Sequence, residues 1–429
     1  MTVRLQRSRM LGLIAGASAL GIALSGCAGS AGGGGGAAEG GSGEGYEYGA
    51  SDEEIKAAFA DIEPLTINYQ PSAQSGEGLD AHRAHAFIEN LETLSDGKIT
   101  VETTYGQGIA GYTELADALV DGRVDVAYML PIYQPDRFPV FQSWVTGTTL
   151  TGTSPLVDEI AANAAIGELT WQDENLISEF RDQGLEPLNI FNAAGAVVTM
   201  CAEPHTTAED WQGNQVRASS VAQTSQLEAL DASPVSLQYT ETYEALQRGT
   251  VDCTLSTTLA ADAAGFMDVA PNMTYTTDVT FARGPGGVYA GSAWQEWPLA
   301  VQQLVFDSME DEFNESRRGD LEANAVGAKT VREAGGTFEE MESGLQDELK
   351  NSSQGLVDEA IVAGTLPEGS TEAIPEAVAR WRGVAEELGY EDEGTFADYD
   401  EWYPMGDKEF LQPFGEKYFE EIMLPHRPS

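Results

Sequence analysis

The feature that most constrains this chain is an alternation of strand and helix that begins at Leu65 and returns as far as Ser256. Residues 65–69 (LTINY) read as a first strand that runs into the polar loop "QPSAQSGEGLD". "AHRAHAFIENLETLSDG" carries Ala84, Phe87, Ile88 and Leu91 at helical spacing, with Gly97 just past its end. "KITVETTYG" alternates as a second strand, and "YTELADALVDG" is a short helix closed by Gly122. "VDVAYMLP" is continuously apolar, the composition of a strand buried on both faces of a parallel sheet. Such alternation predicts an α/β fold.

A second round follows. "LEPLNIFNAAGAVVTMCA" offers one or two strands, and "TTAEDWQG" a helical turn capped by Thr206 or Thr207. "NQVRAS" is a strand, "SVAQTSQLEALDA" a helix and "SPVSLQYT" a short strand. "TETYEALQRG" is a helix and "TVDCTLS" a buried strand. Residues 297–336 read as one very long helix, and the remainder, with "AIPEAVARWRGVAEELG" and "EFLQPFGEKYFEEIML", stays mostly helical. The body is therefore expected as two α/β lobes with an extensive helical finish.

The chain is long enough for two domains, and its 42% hydrophobic content is that of a globular protein. Its charge is not ordinary: 70 acidic against 22 basic side chains give −48. That field repels nucleic acid and anionic membrane surfaces, which excludes both as partners. It fits a solvated acidic surface suited to a salty habitat. At the N-terminus Arg4, Arg7 and Arg9 precede "MLGLIAGASALGIAL", a run too short and too rich in Gly and Ala for a good spanning helix. It ends in "LSGC", which is similar to the bacterial lipobox. Residues 1–27 are thus read as a lipoprotein signal with Cys27 as the lipidated residue, an ordinary secretory signal being the alternative. Two acyl chains there would anchor the protein without a spanning helix. Residues 28–62, opening on "AGSAGGGGGAAEGGSGEG", are read as a flexible tether. Exported proteins can hold disulfides, so Cys201 and Cys253 are either bridged or two free buried thiols.

Two motifs are set aside. "YGQGIAG" contains G-x-G-x-x-G after a strand, with Asp125 about 20 residues on, the context of a dinucleotide site. Asp125, however, opens its strand, whereas the ribose-binding acid of such sites closes one. His82 and His85 stand three apart at a helix start, but no third ligand has a typical spacing, and no metal site is assigned. Nucleophile-elbow, zincin and P-loop motifs are absent from the sequence. No cofactor and no catalytic residue is assigned, and the chain is not read as an enzyme.

Arg217 stands out in "GNQVRASS" as a guanidinium inside a strand. Only seven arginines fall between residues 51 and 300. A period of two sends Val216 and Ala218 to one side, and Gln215, Arg217 and Ser219 to the other. Ligands of α/β folds gather at the carboxyl ends of strands, and arginine offers a planar fork matched to a carboxylate. A structural salt bridge is the alternative.

From residue 65 to at least residue 340 the chain resembles the DctP-like solute-binding proteins of TRAP (tripartite ATP-independent periplasmic) transporters. Two stretches carry the resemblance. One is "LSDGKITVETTYGQGIAGYTELADALVDGRVDVAYMLPIYQPDRFPVF". The other runs from Asp210-Trp211-Gln212-Gly213 through Arg217 to Glu241, Tyr243, Ala245, Leu246, Gln247, Gly249, Val251 and Asp252.

The resemblance implies a two-lobed, periplasmic-binding-protein-like α/β fold. Residues 63–189 with a return near 283–300 would form lobe I, and residues 190–282 lobe II. Residues 294–429 would supply a long helix and helical part bracing both lobes. It also implies a receptor that closes on a small carboxylate-bearing metabolite and delivers it to the membrane symporter subunits of an ion-gradient-driven TRAP transporter. Arg217 would hold the carboxylate, helped by Ser219. Strand-end positions Tyr69, Gln74, Pro131, Tyr133, Phe191, Asn192 and Tyr239 are candidate lining. Ser256 and Thr257 stand where the family commonly has asparagine, and Cys253 replaces a usual glycine. A second arginine common before the segment matched by "CAEPH" is missing, which points to a monocarboxylate or compact organic acid, with Arg283 as a substitute cation. The alternatives are the binding lipoprotein of an ABC importer, a secreted enzyme and an adhesion lipoprotein.

Overall fold

The apolar strands predicted between residues 65 and 129 pair side by side in the computed structural model, which describes residues 45–429. β1 (Leu65–Gln70), β2 (Ile99–Thr103) and β3 (Val126–Met129) are mutually parallel, and all four residues of β3 are buried. The segment 185–202 forms two strands, β4 (Glu186–Asn192) and β5 (Val198–Cys201). They belong to different sheets. The remaining strands are β6 (Gln215–Ala218), β7 (Ser233–Ser236), β8 (Cys253–Ser256), β9 (Asn272–Tyr275), β10 (Gly286–Ala290) and β11 (Phe338–Glu340).

One sheet has the order β2-β1-β3-β10-β4, and the other β11-β9-β5-β8-β6-β7. These are the two lobes. The chain leaves lobe I after Asn192, three residues later than the sequence places the boundary, because β4 keeps its pairing with β10 as far as Asn192. It re-enters lobe I through residues 276–285 into β10. β11 interrupts the mostly helical stretch expected over residues 294–429: it pairs in parallel with β9 and extends lobe II.

The expected single helix over residues 297–336 is two, Leu299–Asp307 and Met309–Ala334, separated at Ser308. The Ser308 hydroxyl donates to Leu304 O four residues back (2.7 Å), a side-chain bond that competes with the backbone ladder and bends helices. The longer piece packs on the lobe I helix His82–Leu94 and on the lobe II helix Thr258–Ala264, so it braces both lobes. The helix Val157–Trp171 lies between β4 and the helix Ser370–Glu387.

The signal, Cys27 and residues 28–44 of the tether lie outside the described residues. The rest of the tether reading is corrected. Tyr46 donates its backbone N–H to Gln303 (2.8 Å) and its hydroxyl to Asp307 (2.8 Å), and Tyr48 stacks on Phe419 at 5.4 Å. Ser51 and Glu54 form a capping box at the helix Asp52–Ala58, and Phe59 is fully buried. These aromatics make residues 45–62 part of the body. Among the described residues no helix is long and apolar enough to cross a membrane.

Cys201 ends β5 opposite Cys253 at the start of β8, and the two are disulfide-bonded. The closed loop separates them by 52 residues, which in the chain-entropy account is worth about 4 kcal/mol. Replacing both by serine is expected to lower stability by about 2–4 kcal/mol in urea titrations. A loss below the reproducibility of the titration would show that the cross-link does not constrain the unfolded chain.

Candidate functional site

The alternation in β6 divides its side chains as the sequence predicts. Val216 and Ala218 enter the lobe II core, whereas Arg217 and Ser219 face a cleft between the lobes. Arg217 is 2% exposed. Its Nε donates to Leu237 O (2.9 Å), its Nη1 to Leu255 O (2.9 Å) and its Nη2 to Tyr133 Oη (3.3 Å). These bonds aim the fork, but they supply no charge. Among the described residues no carboxylate lies within 4.0 Å of it, and burial pulls its pKa below the ordinary arginine value. A buried cation without a counter-ion is a costly arrangement unless an anion visits it.

The opposite wall carries two more arginines. Arg83, on the first turn of the helix His82–Leu94, donates Nη1 to Ser316 (3.1 Å), bonds Ser72 through Nη2, and lies 4.0 Å over the Tyr128 ring. Arg317, on the bracing helix, donates Nη2 to Asn192 Oδ1 (2.6 Å) and pairs with Asp320 at 2.9 Å. Arg83 Nε and Arg317 Nε and Nη1 are buried without an acceptor among the described residues. Asp80 and Asp320 also line the cleft, and burial raises both carboxyl pKa values, that of Asp320 against the pull of Arg317. Three guanidiniums against two carboxyls leave the walls net positive within a strongly acidic protein. The cleft encloses about 120 Å³.

Of the predicted residues, Arg217, Ser219, Tyr133, Asn192, Tyr239, Ser256 and Thr257 come together around this cleft. Others do not line it. Tyr69 shares the inner face of β1 with Ile67 and packs on Phe87 at 4.9 Å in the lobe I core. Phe191 points away from Asn192 by the strand period and packs on Phe141 at 4.7 Å. Pro131 opens the 3-10 turn that presents Tyr133 and is itself buried. Gln74 stands one step behind the wall, donating to Tyr239 Oη (2.6 Å). Arg283 is spent in a buried ion pair with Glu159 (3.2 Å) and a bond to Ala194 O (2.9 Å); only its neighbour Gly284 lines the cleft. The view of Arg217 as the one cation is therefore overturned by Arg83 and Arg317. Arg83 precedes Phe87 by four residues and Arg317 follows Phe313 by four, which puts each on the apolar face of its helix, but helices this rich in charge give no signal that marks either guanidinium as buried.

The glycine motif has another use. The Gln70 side chain accepts from Ile109 N–H (3.0 Å) and Ala110 N–H (3.1 Å), the kind of backbone donors a pyrophosphate would need. Gly106 takes φ +64° where a Cβ would lie 3.1 Å from Gln74 O, so the loop is a close backbone approach. Asp125 is held by the Asn68 backbone (2.7 Å) and side chain (2.9 Å). Among the described residues, Cys201, His205 and Cys253 are the one trio with metal-ligand spacing, and two of them are spent in the disulfide.

Residues 79–362, more than half of the chain, match the family described as bacterial extracellular solute-binding protein, family 7. The chain belongs to that family. A solute-binding protein of Roseobacter denitrificans is 26% identical to this family 7 protein over 206 residues, 46% of the chain and 57% of the relative. The ectoine-binding periplasmic protein TeaA of Halomonas elongata is 28% identical over 141 residues, 32% of the chain and 39% of TeaA. The chain thus spans about half the length of the curated relatives it matches.

Solved structures align far more completely. A TRAP solute-binding protein from Rhodoferax ferrireducens in complex with copurified benzoate has a TM-score of 0.65 at 17% identity, covering 75% of this chain and 99% of that one. The sugar acid binding protein DctPAm from Advenella mimigardefordensis, in complex with galactonate, has a TM-score of 0.62 at 17% identity, covering 75% and 100%. At that identity the likeness carries the fold.

Proposed function

We propose that this family 7 protein is an extracytoplasmic receptor that closes on a small organic acid and presents it to a TRAP-type secondary transporter. The observation that carries the reading is Arg217: a buried fork at the lobe interface, oriented by two carbonyls and with no carboxylate among the described residues paired to it. A ligand carboxylate supplies the missing charge, and closure strengthens the pair by excluding water. The free N–H groups of Arg83 and Arg317 favour a ligand whose far end also bears oxygen, which narrows the monocarboxylate or compact organic acid that a single arginine suggested. No group in the cleft is read as a nucleophile or general base, so capture without turnover is the reading adopted over a secreted enzyme. The lobe arrangement alone suits an ABC importer's receptor equally; family membership and the helix bracing both lobes favour the TRAP assignment. "LSGC" supports anchoring through lipidated Cys27.

A thermal-shift screen followed by calorimetry tests this with monocarboxylates, dicarboxylates, sugar acids, amino acids and neutral sugars. Ligand at 100 times its Kd is expected to add about 2.7 kcal/mol of stability. Acids with hydroxyl or carboxyl groups at the far end are expected to outrank hydrocarbon-tailed acids of equal length. Stabilisation by neutral sugars alone would overturn the carboxylate reading.

A further inference from the structure

Tyr133 stands on lobe I, in the 3-10 turn Pro131–Tyr133 that follows β3. Its hydroxyl oxygen nevertheless accepts from two donors of lobe II, Arg217 Nη2 (3.3 Å) and the backbone N–H of Tyr239 (3.1 Å). Tyr239 opens the lobe II helix Tyr239–Gln247 and reaches back: its hydroxyl lies 2.8 Å from Tyr112 Oη and accepts from Gln74 Nε2 (2.6 Å), both on lobe I. The Tyr112 ring lies 5.9 Å from that of Tyr133 and 5.8 Å from that of Tyr239. Together these bonds cross one edge of the cleft.

Tyr133 is also a partition. The inner cleft and an outer chamber of about 270 Å³ share Ile132, Tyr133 and Ser219 as walls; the outer chamber adds Gln238 and Glu241. The bonds of Arg217 are unequal. Nε and Nη1 are held at 2.9 Å by carbonyls of its own lobe, whereas the longer Nη2 bond is its one link to lobe I. That is the bond a ligand oxygen can take over without disturbing lobe II.

We propose that Tyr133 is a positioning residue whose phenol holds the place of one ligand oxygen on Arg217 and, through Tyr239, latches the two lobes on that edge. A carboxylate arriving at Nη2 frees the phenol from arginine but leaves it on the Tyr239 N–H, so the bound state keeps part of the latch. A latched empty population lowers apparent affinity by the fraction that is open, and the latch thereby sets how selective entry is. What displaces the phenol rests on the organic-acid reading; the latch itself does not.

The test is the lobe-to-lobe distance in the ligand-free protein, measured by pulsed electron resonance between spin labels on Asp136→Cys and Glu244→Cys. Both positions are exposed, one on each lobe, and the native disulfide is buried. Tyr133→Phe, which keeps the ring, is expected to move the distribution to longer distances, and adding Tyr239→Phe is expected to move it further. Distributions that overlay the parent in Tyr133→Phe, whatever Tyr239→Phe does, would overturn the latch. Melting curves on the same samples establish that each variant is folded. Because no ligand enters the measurement, the latch and the organic-acid reading fail separately.

Discussion

Arg217→Lys is expected to weaken binding of the best acid from the ligand screen about 100-fold, close to 2.8 kcal/mol. The charge is formally kept and the fork is lost. An ammonium cannot donate in the plane of the guanidinium to Leu237 O, Leu255 O and a ligand carboxylate together. Lysine at a site 2% exposed also loses its proton more readily than arginine, because burial penalises the charged form and an ammonium titrates far lower. Calorimetry should therefore show a loss that grows as pH rises, since the neutral amine attracts no carboxylate. The ligand-free protein should melt only a few degrees lower, from two carbonyls losing a donor. An affinity within threefold of the parent would reassign Arg217 to a structural tie between the β7 and β8 ends.

What could be read without coordinates follows from where burial is one-sided and where it is complete. Strands β1, β2, β3, β6, β7 and β8 announce themselves by period or by short apolar runs bounded by turns. The helix Val157–Trp171 does not, because it is covered by β4 on one side and by the helix Ser370–Glu387 on another, and its buried residues go nearly all the way round. Complete burial erases the polar stripe on which helix reading depends. The same logic governs the site. Arg217 was legible since a charge breaking a strand pattern is conspicuous. Arg83 and Arg317 sit on helices rich in charge, where only the coordinates distinguish a buried guanidinium from a solvated one. The strand-end positions of Tyr69 and Phe191 point to the cleft, yet strand parity sends both into the core. The pairing of β11 with β9 depends on the chain returning after the 26-residue helix Met309–Ala334, a long-range contact with no local signal.

Arg283→Met is expected to cost about 3–5 kcal/mol of stability in urea, the range for stranding one partner of a buried ion pair. Arg283 is 0% exposed, pairs with Glu159 at 3.2 Å and donates to Ala194 O at 2.9 Å, while its backbone N–H donates to Thr148 Oγ1 at 2.9 Å. Ala194 lies on the first crossing between the lobes and Arg283 on the second, so the guanidinium pins the two crossings to each other and to the helix Val157–Trp171. Burial already raises the Glu159 pKa, with Arg283 the main opposing pull. Without that pull the carboxyl keeps its proton in the folded state to a higher pH than in the unfolded chain. A folded-state pKa above the unfolded value means that the native state binds more protons. Stability then falls as pH climbs from the unfolded carboxylate range through the folded pKa. The variant should consequently be weakest, relative to the parent, on the alkaline side. Adding Glu159→Gln removes the stranded acid, and the double variant is expected to recover much of the loss and to lose the pH dependence. A single-variant cost below about 1 kcal/mol, the ordinary net worth of one hydrogen bond, or a cost unchanged between pH 5 and pH 8, would mean that the crossings are held by packing alone.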